Sequence, residues 1–98
     1  MELPVDLRFI GFSHDEAVEA LVHANINQLG LMEPDVADWR VLVQRDNQHE
    51  PWNHPIAVRV GFSLRGQDVT LMRVGGQELD AVLMEAFDAT RRKIVDMQ

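Results

Sequence analysis

The stretch Gly76–Met97, GQELDAVLMEAFDATRRKIVDM, is the strongest periodic signal in the chain. Leu79, Leu83, Phe87 (or Ala86), Thr90, Ile94 and Met97 recur at helical spacing. Val82 and Ala86 widen that line into a stripe, while Glu78, Glu85, Asp88, Arg92 and Asp96 lie largely off it. A period near 3.6 marks an amphipathic helix, here about six turns long. Its apolar face needs a partner, because most helical stability in proteins comes from packing such a face. The β-rich segments just before it are the obvious one.

Those segments are legible by alternation. Val5–Phe12 places Val5, Leu7 and Phe9 on one side and Asp6, Arg8 and Ile10 on the other, a half-buried strand ending near Gly11. Ser13 with Glu16 has the spacing of a capping box, and Val18, Leu21, Val22, Ile26 and Leu29 form a second helical stripe. A first helix over His14–Leu29 is predicted, with Gly30 as its stop. Leu31–Asp38 connects it to a strand over Trp39–Arg45. The polar stretch Asp46–Pro55 has loop composition. Ile56–Arg65 has the cleanest alternation, with Ile56, Val58, Val60, Phe62 and Leu64 inward and Ala57, Arg59, Gly61, Ser63 and Arg65 outward. Gly66-Gln67 reads as a turn and Asp68–Val74 as the last strand. Its inward face is either Val69/Leu71 or Met72/Val74. Gly75-Gly76 ends it and opens the long helix. The order β-α-β-β-β-α, with the last three strands as an antiparallel meander, predicts an α+β two-layer domain. Two helices would cover one face of a four-stranded sheet.

Ninety-eight residues suit one domain with one core, spanning 1–98. No stretch approaches a membrane span, and the first residues lack the basic start and apolar run of a secretion signal. Cysteine is absent, which excludes disulfides and thiol chemistry and is compatible with the cytoplasm. The net charge of −7 argues against a simple nucleic-acid binder, which usually carries a basic footprint. The charge is uneven, however. Between Trp39 and Val74 five arginines face three carboxylates, a local net of +2.

Candidate contact residues follow from that distribution. Arg8, Arg40, Arg59 and Arg65 would stand on the open face of the sheet, where guanidinium groups can hold phosphates. On composition alone, the ordinary reading is a solvated sheet face balanced by Asp6 and nearby carboxylates. Arg91-Arg92-Lys93 is a basic cluster near the end of the long helix, which the helix dipole alone would also explain. Trp52, in the polar loop, is a candidate protein contact. His14, His23, His49 and His54 form no dense ligand motif, so no metal or other cofactor is expected. The glycines have no phosphate-loop signature, and Gly75-Gly76 is read as a strand-to-helix turn. No catalytic residue stands out, and the chain is not expected to be an enzyme.

The segment Gly76-Gln77-Glu78-Leu79-Asp80-Ala81-Val82-Leu83 resembles the start of the second helix in the ribosome hibernation promoting factors, also called the sigma-54 modulation or ribosome-associated inhibitor family. Gly76 and Gln77 match that family's pattern, Glu78 stands in for its aspartate, and Leu79, Ala81 and Leu83 fit. Asp80 stands where the family usually has tyrosine. The order of elements and the first strand through Gly11 are similar as well. The resemblance implies a cytoplasmic, non-enzymatic bacterial protein. It would bind the small ribosomal subunit, in the channel used by messenger and transfer RNA, and modulate translation or store idle ribosomes under stress. The family's binding surface is rich in lysine and arginine along its helices. Here the first helix has neither and carries Asp15, Glu16 and Glu19; only Arg91, Arg92 and Lys93 match that basic surface. The alternative is an acidic protein-interaction or self-associating domain of the same fold.

Overall fold

In the computed structural model, residues 3–45, 55–76 and 78–98 are described. The chain runs β1 (Val5–Ile10), α1 (Glu16–Met32), β2 (Ala37–Arg45), β3 (Ile56–Leu64), β4 (Gln67–Gly75) and α2 (Leu79–Met97). The strands form one sheet in the order β1-β2-β3-β4. β1 pairs with β2 in parallel, since α1 crosses between them, and the other two pairings are antiparallel. Both helices pack on the same face, which is the two-layer α+β arrangement that the alternating and helical periods predict.

The core lies between the layers. Val18, Val22, Ile26 and Leu29 of α1 and Val82, Leu83, Ala86, Phe87 and Ile94 of α2 meet the inward residues of the sheet. β3 is central and contributes most, with Ile56, Val58, Val60, Phe62 and Leu64 all buried. Burying each such side chain contributes about 1.5–3 kcal/mol. Trp39 tilts against Phe62 with ring centroids 5.4 Å apart. In β4 it is Val69 and Leu71 that pack on the core, while Met72 and Val74 are exposed.

Four local details differ from the sequence reading. First, α1 is capped by Asp15 rather than Ser13. The Asp15 carboxylate accepts from the backbone N–H groups of Ala17, at 2.8 Å, and Val18. An aspartate caps as well as a serine and adds its charge to the helix dipole. Second, Gly30 does not end α1. It lies inside the helix, where any Cβ would collide with Leu3 Cδ1, so the glycine admits the N-terminal segment instead of breaking the helix. The stop comes at Glu33, in extended conformation as the residue before Pro34 must usually be. Third, the β3–β4 turn is Arg65-Gly66, with φ of 50° and 82°, and Leu64 pairs with Gln67. Two positive φ values match the right-handed twist of a two-residue hairpin. Fourth, α2 begins at Leu79, with Glu78 at its N-cap, so the strand-to-helix connection is longer than a glycine pair. Gly75 allows that connection to close. A Cβ there would lie 2.5 Å from Val82 Cγ2.

Candidate nucleic-acid interface

Residues of the sheet that point away from the helices fall into cross-strand rows fixed by the register. One row is Asp6–Arg40–Gly61–Thr70, the next Arg8–Leu42–Arg59–Met72, and the third Ile10–Gln44–Ala57–Val74. Arg8, Arg40 and Arg59 therefore share the open face, as their parity in the strands predicts. They border one shallow cleft of about 190 Å³ with Leu42, Gly61, Thr70, Asp6 and Val41.

Arg40 is held in place from several sides. The pairing of β2 with β3 is irregular between Ala37 and Arg40, and Asp38 there has φ of 57°. Such irregularities re-aim nearby side chains, and aspartate tolerates the left-handed region better than most residues. Arg40 Nε donates to the Asp38 carbonyl at 3.2 Å, and its Nη2 lies 3.7 Å from Asp68 Oδ1. Asp68 in turn accepts a hydrogen bond from Ser63. The Arg40 guanidinium lies over Gly61, 3.2 Å from where a Cβ would stand. A side chain at that point would press on the guanidinium, so the glycine leaves it room. Arg8 is paired with Asp6 at 3.3 Å, and Arg59 Nη2 rests 3.8 Å from Met72 Sδ.

Arg65 is not on this face, contrary to its strand parity. The hairpin turn redirects it to the end of α1, where it pairs with Glu33 and approaches Asp35 at 3.8 Å. Glu33 is buried, so its charge requires a partner. Arg65 is thus placed as a structural ion-pair residue.

The basic cluster of α2 lies on the helical layer, away from the open sheet face. Arg91 and Arg92 both donate to Asp88, with Arg91 Nη2 2.8 Å from Oδ1. The hydrogen bond from Arg91, and then the charge of Arg92, holds the Asp88 carboxyl below the usual carboxylate range. Lys93 is exposed beside them. Asp88 and Arg91 also border a groove of about 360 Å³ between the helices, floored by Leu29, Met32, Met84 and Phe87. At the start of α1, His14 and His23 flank Glu19 at 2.7 and 3.8 Å. Among the described residues, no group of three or more histidine, cysteine or acidic side chains is arranged to hold a metal. Trp52, His49 and His54 lie outside the described residues.

Two features escape the reading of the linear chain. Gly61 and Thr70 complete the cleft, and strand parity alone puts Gly61 on the right face without saying that Arg40 lies on it. Asp88 stands three and four residues before Arg91 and Arg92, a helical spacing that makes its pairing with them legible once the helix is accepted.

No protein-family model matches the chain, and no curated protein matches it. Among solved structures, the N-terminal domain of Protein Y from Thermus thermophilus matches with a TM-score of 0.78 at 13% identity, over 100% of both chains. A ribosomal subunit interface protein from Coxiella burnetii matches with a TM-score of 0.78 at 6% identity, over 95% of this chain and 94% of that one. At these identities the likeness shows the fold, and its end-to-end extent makes this chain similar in architecture to a ribosomal subunit interface protein.

Proposed function

We propose that this protein is a non-enzymatic, ribosome-associated factor that binds the small ribosomal subunit and modulates translation or ribosome storage under stress. The observation that carries the reading is the likeness, over 95% of this chain, to a ribosomal subunit interface protein. The start of α2, with its resemblance to the hibernation factors, points the same way. The protein reaches the subunit with few cations. α1 has no lysine or arginine, and Arg91 and Arg92 are already paired with Asp88. Binding through released counterions is correspondingly modest. The test is sedimentation with 30S and 70S particles at moderate salt. Co-migration that weakens in an Arg91→Glu/Arg92→Glu variant supports the reading, and absence of co-migration overturns it.

A second reading, a protein-interaction or self-associating domain, is favoured by one observation. The cations of α2 and those of the sheet occupy opposite layers, and the open face also exposes Ile10, Met72 and Val74 at 47–56%. Light scattering decides it: a monomer at every concentration, with no partner in pull-down, removes this alternative.

A further inference from the structure

We propose that the cleft on the open sheet face binds a single unstacked nucleotide of an RNA strand. Arg8 and Arg59 flank Leu42 from the neighbouring strands, about 10 Å apart at the backbone, and Arg40 stands two residues along β2, about 7 Å away. Three long side chains rooted in that triangle can converge on one group. The floor between them is apolar, made by Leu42, with the Arg40 guanidinium lying over Gly61 at its side, and Thr70 adds a hydroxyl at the rim. A flat apolar floor edged by guanidinium planes suits a nucleobase, because unstacked bases pack on arginine planes as they do on aromatic rings. The same guanidinium forks match the two free oxygens of a phosphodiester.

The size of the cleft selects the occupant. At about 190 Å³ it is smaller than the ~300–1,000 Å³ of sites that enclose a whole small ligand. It takes one unit of a longer chain. Arg40 is ready for that unit, fixed by the Asp38 carbonyl and Asp68 over a residue with no side chain. Asp6 and Asp68 reduce the net charge of the face, so the site relies on shape and stacking as well as on charge. A helix-layer contact with the ribosome through Arg91 and Arg92 does not need this site. The choice of RNA as the polymer rests on the ribosomal reading, but the test does not use ribosomes.

The experiment is fluorescence polarisation of the full chain with labelled rU8 and rA8, with a polyglutamate peptide and free nucleoside monophosphates as competitors. Arg59→Ala is expected to weaken RNA binding by about tenfold. Gly61→Val is expected to do the same by displacing Arg40, with circular dichroism and Tm checking that it folds. Arg59→Lys, which keeps the charge but loses the plane, should recover only part of the affinity. Equal binding by parent and Arg59→Ala overturns the proposal. So does a polyglutamate peptide that binds where RNA does not, or a free nucleotide that competes as well as the oligonucleotide. Loss of ribosome sedimentation with oligonucleotide binding intact would reject the ribosomal role and leave the cleft standing.

Discussion

Arg65 carries two duties at once. It occupies the first central position of a two-residue hairpin at φ 50°, and its side chain neutralises the buried carboxylate of Glu33. The first duty costs conformational strain, because residues other than glycine, asparagine and aspartate rarely adopt that backbone. The second offsets it, because a buried carboxylate left alone is expensive. Arg65→Asn separates them, since asparagine suits the turn but cannot reach Glu33. The variant is expected to lose about 1–3 kcal/mol in chemical denaturation despite its better turn residue. No loss of stability would mean that the ion pair contributes nothing. From the linear chain Arg65 continues the outward alternation of β3, and its candidate role follows from that parity. Positive φ is invisible to alternation, so the departure could be found only from the turn itself.

At the scale of elements, α2 shows how one spacing fixes both structure and charge. Its stripe packs Val82, Leu83, Ala86, Phe87 and Ile94 against the sheet, and the same 3.6-residue period brings Asp88 beside Arg91 and Arg92. Because the folded Asp88 carboxyl titrates below its unfolded value, its contribution is complete above the ordinary carboxylate range. It is lost as pH falls through the folded value. Asp88→Asn is therefore expected to unfold at a slightly lower temperature than the parent at pH 7, with the gap closing as the pH falls below the ordinary carboxylate range. Thermal melts across that range check it, and a gap that widens in acid contradicts it. The boundaries of α1 show the opposite case. Gly30 carries a stop signal in the sequence, but Leu3 packs against it from outside the helix, and Pro34 sets the end instead.

For the molecule as a whole, the net charge of −7 disfavours long-range attraction of a polyanion. The cations proposed for RNA are Arg8, Arg40 and Arg59 on the sheet. Three cations on a one-nucleotide cleft predict a shallow salt dependence, a slope of log K against log salt no steeper than about −2 for single-stranded RNA. Titrations of the oligonucleotide at several salt concentrations measure it. A slope near −6 or steeper would require a basic surface that these residues do not form.

Sequence alone determines the two-layer α+β architecture, because periods of 2 and 3.6 state which side of each element must be buried. It also determines the acidic balance and the parity that puts Arg8, Arg40 and Arg59 on one face. Tertiary structure alone decides which of these cations are available to a ligand. The turn at Arg65-Gly66 takes Arg65 off the open face and onto the buried Glu33. The lateral register of β1, β2 and β3 then gathers the remaining three arginines of the face around Gly61. The stretch Gly76–Met97 specifies a helix through local spacing, whereas a binding cleft depends on residues brought together across strands, and their distances arise only when the sheet is formed.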